Sequence, residues 1–150
     1  MDFHHVSVLL DETVDQLVTD LSGTYIDCPL GGAGHGLKIC RTLQANGSYV
    51  GIDRDPAAIL TAQSKLSQVS CQVSLVRANF SELKQVTQNL GLSNIHGVLF
   101  DLGVSSHQLD TAERGFSYMH DGPLDMRMNP DDTTSAFDVV NRYSESELGK

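Results

Sequence analysis

The apolar positions of this chain alternate between helical spacing and short, strand-like runs. Residues 11–21 place Val14, Leu17, Val18 and Leu21 at helical spacing and carry acids in the first turn, which predicts a short amphipathic helix. Four strand-like runs follow, at residues 24–28, 48–53, 71–80 and 95–103. Helical stretches separate them, at residues 37–46, 57–66 and 82–92. This alternation predicts an α/β fold, a parallel sheet with helices on both sides.

Local signals mark where two of the helices begin and how the last strand is buried. Pro56 follows Asp55, and proline is favourable in a first helical turn because its missing N–H has no partner there. Ser81 is the predicted cap of the helix at 82–92. The run Val98–Phe100 is continuously apolar, which predicts a strand that is buried on both faces.

The periodicity disappears between Ser105 and about Thr134. Loops of that length inside a compact domain are uncommon and are usually functional or disordered. Apolar residues that a disordered segment would lack favour an ordered loop over a solvated linker: Phe116, Tyr118, Met119, Leu124, Met126 and Met128. The chain ends in a helical pattern without a stop signal, and we expect it to be the front portion of a longer protein.

Composition narrows the class of protein. The net charge of −9 argues against a nucleic-acid surface, because phosphate binding depends on lysine and arginine. The three cysteines lack CxxC spacing, which is typical of reduced thiols. We expect a cytoplasmic protein without a secretion signal or a membrane partner. The histidines, His4 and His5 included, lack partners at ligand spacing, so we predict no metal.

A glycine loop follows the first strand, in the stretch YIDCPLGGAGHGL at residues 25–37. A phosphate-binding Walker loop needs lysine directly after its last glycine, where this chain has Leu37. The dinucleotide fingerprint GxGxxG fails in every register, because Leu37 or Ile39 stands at the third glycine position. Close approach of the backbone to some other ligand is the remaining prediction.

Acids end three of the predicted strands, at Asp27, Asp53 and Asp101. Parallel α/β sheets bind ligands at the carboxyl ends of their strands, and an acid after the second strand can accept hydrogen bonds from a ribose. Asp53 is the acid at the end of the second predicted strand. Without a phosphate signature, we expect an adenosine-containing ligand, and the cationic S-adenosylmethionine fits an acidic pocket.

The sequence also resembles a known family, the bacterial 16S rRNA cytosine-N4 methyltransferases called RsmH or MraW. The resemblance covers nearly the whole chain, and its most specific run is ERGFSYMHDGPLDMRMNP. Other matching runs are HHVSVLLDETV, YIDCPLGGAGHG, GIDRDP and FDLGVSSHQLD. It implies a Rossmann-like class I methyltransferase sheet of which this chain holds the first four strands. It also implies S-adenosylmethionine as cofactor and 16S rRNA of the small ribosomal subunit as partner.

The resemblance implies a set of cofactor contacts. The loop backbone would approach the methionine part, Asp53 would hold the ribose hydroxyls and Phe80 would lie against adenine. The implied contacts are Ala33, Gly34, His35, Asp53, Phe80, Asp101 and Gln108. Three residues depart from the family pattern: Pro29 and Gly36 replace hydroxyl residues, and His107 replaces a proline.

The resemblance also suggests how the chain is divided. We expect a cofactor domain at 1–109, an ordered loop or lid at 110–132 and the start of a helical insertion at 133–150. Within the lid, Phe116 or Tyr118 would contact the target base. Arg114 or Arg127 would face phosphate, or the arginines would instead pin the loop through pairs with aspartates.

The reaction implied is attack of a cytidine N4 on the sulfonium methyl. The acceptor for the amine N–H is either Asp101 or a loop carbonyl, and no catalytic residue is assigned. Two alternatives to the methyltransferase stay open. One is a nicotinamide-dependent oxidoreductase, and the other is a non-catalytic remnant.

Overall fold

The computed structural model describes residues 7–149, so His4 and His5 lie outside the described residues. The strands are β1 (Thr24–Asp27), β2 (Ser48–Asp53), β3 (Gln72–Arg77) and β4 (Gly97–Leu99). The helices are α1 (Leu10–Leu17), α2 (Gly34–Thr42), α3 (Pro56–Lys65), α4 (Leu83–Asn89), α5 (Ser106–Asp110), α6 (Ala136–Arg142) and α7 (Glu145–Leu148). Short 3₁₀ turns lie at Phe80–Glu82 and Ala112–Arg114.

The chain divides into two compact units between Gly103 and Val104. The first unit contains the sheet, and the second contains α5, α6, α7 and the connecting loops. The domain boundaries expected from the sequence, at 109 and 132, remain predictions.

The four strands form one parallel sheet in the order β3-β2-β1-β4. The predicted α/β fold is therefore confirmed. Chain order reverses at β1, since β2 lies on one side of it and β4 on the other. Ligands bind such sheets in the crevice outside the carboxyl ends at this switch point.

Alternate residues of the central strands point to opposite faces of the sheet, and each face has its own core. Tyr25 and Tyr49 pack with residues of α1, α2 and α3 on one face. Ile26 and Val50 pack with Val86 of α4 on the other. The result is a sheet covered by helices on both sides. Because all its strand pairs are parallel, the carboxyl ends of the strands lie at one edge.

Several predicted details differ from the structure. The first helix ends at Leu17 because Val18 is extended, and Leu21 is exposed beyond it. Ser81 is not the cap: Asn79 accepts the N–H of Ser81 and forms a capping box with Glu82. The fourth strand is only partly buried, because it lies at the end of the strand order.

The predicted start of the third helix was interpreted correctly. Asp55 caps α3, accepting the Ala57 N–H at 2.9 Å, with Pro56 in the first turn. In residues 7–149 no helix has both the length and the apolar content that crossing a membrane requires.

Candidate functional site

The glycine loop joins β1 to the N-terminus of α2. Ala33 is the N-cap residue and adopts left-handed backbone with φ 55°, and its side chain supplies no cap. The first-turn N–H groups of an α-helix lack partners within the helix, so the start of α2 offers donors to an anionic group. A Cβ on Gly34 would overlap the Ser7 hydroxyl, so the Ser7 side chain would have to shift to admit any larger residue there.

Asp53 ties the glycine loop to the end of β2. Its Oδ2 accepts the N–H of Gly31 at 3.0 Å and its Oδ1 accepts the N–H of Asp55 at 2.8 Å. Burial raises the pKa of Asp53, and the backbone N–H groups of Asp55, Gly31 and Arg54 partly oppose that rise. A carboxylate has about four acceptor positions. Asp53 thus keeps capacity for ribose hydroxyls after holding the loop.

His35 ties α2 to the end of β4. Its Nδ1 lies 3.5 Å from Oδ2 of Asp101, and its Nε2 lies 3.1 Å from the carbonyl oxygen of Val8. His35 is buried, whereas the Asp101 side chain is about half exposed. Since β1 and β4 flank the switch point, this contact lies at the place where the fold expects a ligand.

Phe80 begins the 3₁₀ turn after β3 and contacts Phe100, which directly follows β4. The ring centroids are 6.2 Å apart with an interplanar angle of 83°, an edge-to-face pair. Both rings remain substantially exposed, at 44% and 48%. An exposed aromatic face beside the strand ends can accept a flat heterocycle such as adenine.

Gln108 lies on α5 in the second unit. Its side-chain oxygen accepts the Ser105 N–H at 3.0 Å, and its own N–H donates to the Ser105 hydroxyl at 3.2 Å. This capping box starts α5 and fixes the direction of the Gln108 side chain.

Asp27 is 1% exposed and Asp53 is 6% exposed, so both are buried, whereas the Asp101 side chain is about half exposed. Oδ2 of Asp27 accepts the hydroxyl of Tyr49 at 2.8 Å. Burial raises the pKa of Asp27 to about 7, and the charges of Asp101 and Asp53 add to the rise. Two of the acids predicted from the strand ends, Asp53 and Asp101, therefore act on the third. Asp27 acts from beneath the site, not from its surface.

The structure thus brings most of the predicted residues into one network in the first unit. The network joins the glycine loop, the end of β2 and the end of β4, and Phe80 contacts the ring next to Asp101. Sequence reasoning missed the amide of Gly31, the ring of Phe100 and the hydroxyl of Tyr49. Only Tyr49 carried a signal: a tyrosine in a buried strand needs a partner for its hydroxyl.

The arginines of the loop in the second unit pin that loop. Arg127 forms a bidentate ion pair with Asp125, at 2.6 Å for the shortest contact, and donates to the Asp132 carbonyl. Arg114 donates to the carbonyls of Arg127 and Met128, both at 2.9 Å. The pairing of Arg127 with an aspartate agrees with the expected alternative in which the arginines pin the loop instead of facing phosphate.

The apolar residues of this loop are not uniformly buried. Tyr118 is 97% exposed and Met119 is 72% exposed, contrary to the burial expected from their types. Gly115 has φ +70°, and a Cβ there would overlap the Pro123 carbonyl oxygen. The loop is held by backbone contacts and arginines more than by an apolar core.

Comparison with known proteins identifies the family. The sequence profile of the MraW methylase family matches residues 2–150. The chain belongs to this family. The membership predicted from the sequence runs is thereby confirmed.

Two curated relatives of this chain share the same protein name. Ribosomal RNA small subunit methyltransferase H of Clostridioides difficile is 51% identical over all 150 residues, and that of Brevibacillus brevis is 48% identical. The chain spans about half the length of these relatives, 48% in each case. A solved structure from Klebsiella pneumoniae described as a "putative O-methyltransferase" has a TM-score of 0.52 and 18% identity. It covers 67% of this chain, the chain covers 46% of it, and it supports the fold alone.

Proposed function

We propose that this chain is the cofactor-binding part of an S-adenosylmethionine-dependent methyltransferase. Its target would be N4 of a cytidine in the 16S rRNA of the small ribosomal subunit. Family membership and the name of the relatives support the class of reaction. The observation that carries the proposal is the network in which Asp53 and the His35–Asp101 pair tie the glycine loop to two strand ends.

The residues present fit the parts of the cofactor. The donors at the start of α2 suit the carboxylate of its methionine part, since its first turn has no side-chain cap. Asp53 suits the ribose hydroxyls, and the exposed face of Phe80 suits adenine. Gln108 lies on α5 in the second unit, and its cofactor contact stays a prediction of the family resemblance. When bound, S-adenosylmethionine supplies an electrophilic methyl group on a cationic sulfur.

The acids at the strand ends favour a cationic ligand by charge. The charges of Asp53 and Asp101 both act on Asp27, and burial keeps the effective dielectric low around Asp27 and Asp53. A cation placed among them would favour their ionised forms.

The chain would also prepare the amine for attack. The lone pair of a cytidine N4 is conjugated with the ring, so an acceptor for its N–H would increase its nucleophilicity. The half-exposed carboxylate of Asp101, oriented by His35, is one acceptor. A carbonyl of the following loop, 102–104, is the other, and the target base would have to be unstacked to reach either.

The first experiment compares Asp53→Asn with Asp15→Asn, an exposed residue of α1 that serves as a matched control. We expect Asp53→Asn to weaken S-adenosylmethionine binding about tenfold or more, because a hydrogen bond to a charged group is worth ~1.5–3 kcal/mol. Asp15→Asn should bind as the unaltered chain does. Calorimetric titration measures both, and equal affinities of the two variants would contradict the placement of the ribose.

The second experiment concerns the target. The chain is incubated with S-adenosylmethionine and small ribosomal subunits that lack cytidine methylation, and the nucleosides are analysed by mass spectrometry. We expect N4-methylcytidine when the chain is supplemented with the remaining half of a relative. Methylation of another atom or another base in that mixture would contradict the proposed target.

A further inference from the structure

A buried tyrosine hydroxyl lies beneath the first turn of α2. Tyr49 is fully buried on β2, and its hydroxyl donates to Oδ2 of Asp27, the last residue of β1. The two residues are 22 positions apart in the chain, and the parallel pairing of β1 with β2 brings them together. A buried phenol needs a hydrogen-bond partner, and Asp27 provides it.

Gly36 completes this arrangement. A Cβ at position 36 would overlap the Tyr49 hydroxyl, lie 2.8 Å from the ring Cζ and lie 3.5 Å from Oδ2 of Asp27. The tyrosine hydroxyl thus occupies the space that a side chain on α2 would fill. A side chain at position 36 and a tyrosine at position 49 exclude each other.

The hydroxyl also affects the charge of Asp27. Burial raises the pKa of Asp27 and the hydrogen bond from Tyr49 lowers it, so the bond favours the ionised carboxylate. Several other groups interact with the same charge, from β2, α2 and the loops after β1 and β4: Asp53, Cys40, Cys28 and Asp101, the last paired with His35.

We propose that Tyr49 is a positioning residue of the cofactor site, coupled to Gly36, that orients the Asp27 carboxyl under the first turn of α2 and favours its ionised form. The inference rests on the proposed function, because a cationic cofactor is what benefits from a negative charge there. Tyr49 itself does not contact the cofactor. It acts through Asp27.

The first test removes only the hydroxyl, with Tyr49→Phe. Loss of a hydrogen bond that favours the ionised form raises the Asp27 pKa by about one unit, which leaves about a tenth of the carboxyls ionised at pH 7 where half were before. S-adenosylmethionine binding should therefore be about fivefold weaker at pH 7 and nearly unchanged at about pH 9. Carbon-13 NMR of the Asp27 carboxyl measures the titration directly, without any cofactor.

The second test supplies a hydroxyl donor to Asp27 from α2 instead of from β2. In a Tyr49→Leu background, the space above Asp27 is open, and Gly36→Ser places a new donor within reach of Oδ2. We expect G36S/Y49L to restore the pH profile of binding toward that of the unaltered chain. The matched control G36A/Y49L fills the same space without a donor and should not restore it. Thermal unfolding of each variant verifies that it is folded.

The outcomes separate the inference from the proposed function. An unchanged Asp27 titration in Tyr49→Phe would overturn the inference, as would equal rescue by serine and alanine at position 36, which would mean that packing alone matters. Failure of the unaltered chain to bind S-adenosylmethionine at any pH would instead overturn the proposed function. The NMR titration would still decide whether Tyr49 controls the charge of Asp27.

Discussion

The buried carboxyl of Asp27 should make the stability of the protein fall as the pH rises from about 4 to 7. Its pKa is about 7 in the folded chain and 3.8 without the fold. Below the lower value both states hold the proton. Between the two values the unfolded chain releases it while the folded chain keeps it, so rising pH favours unfolding.

The size of the effect follows from the difference between the two pKa values. At 1.36 kcal/mol for each unit, the folded state loses ~4 kcal/mol across this interval, and above about pH 7 the loss is complete. That is a large fraction of the ~5–15 kcal/mol that stabilises a typical domain.

Asp27→Asn should abolish this loss. The asparagine keeps an oxygen that accepts the Tyr49 hydroxyl but cannot ionise. Relative to the unaltered chain, the variant should therefore gain up to ~4 kcal/mol of unfolding free energy between about pH 4 and pH 8. Because the other titrating groups are common to both chains, the contributions of those that do not interact with Asp27 cancel in the comparison.

Urea denaturation at several pH values measures this difference. Asp15→Asn on the exposed surface is the control, and its difference from the unaltered chain should hardly change with pH. If the difference for Asp27→Asn were also constant across the interval, Asp27 would not carry a raised pKa. The reasoning from its burial would then be refuted.

Two further predictions concern backbone features. Gly115→Ala should destabilise the second unit by ~2–4 kcal/mol, because it combines left-handed strain with overlap of a backbone carbonyl. Gly91→Ala, which has φ +65° but open space, should lose only ~1 kcal/mol, and equal losses by urea denaturation would contradict the overlap. Asn79→Ala should cost ~1 kcal/mol through loss of the cap of the turn before α4. Ser81→Ala should leave the melting temperature nearly unchanged. A clear fall in the melting temperature of Ser81→Ala would instead show that Ser81 is the cap.

The parts of the fold that the sequence predicted well depend on local pattern. The short apolar run before Asp53 is typical of a buried strand, and Asp55 followed by Pro56 is a strong start for a helix. Where two local signals competed, the prediction failed. Asn79 and Ser81 are both good caps, and the 3₁₀ turn at Phe80–Glu82 decides in favour of Asn79.

The candidate site was predictable where it follows the general rule that parallel sheets bind ligands at the carboxyl ends of their strands. Asp53 and the glycine loop follow from strand ends and glycine spacing, and the structure joins them through Gly31. The contact between Tyr49 and Asp27 could not be predicted, because it depends on strand register and on the distance of α2 from the sheet. The exposure of Tyr118 likewise reflects tertiary packing, which its residue type does not encode.

The most direct measurement is a calorimetric titration of the purified chain with S-adenosylmethionine, with NADH as the competing ligand class and circular dichroism to verify folding. All the proposed contacts except Gln108 lie in the described part of the first unit. We expect saturable binding of S-adenosylmethionine and none of NADH. A folded chain that binds NADH, or that binds neither ligand, would contradict the assignment of the glycine loop to a methyl-donor site.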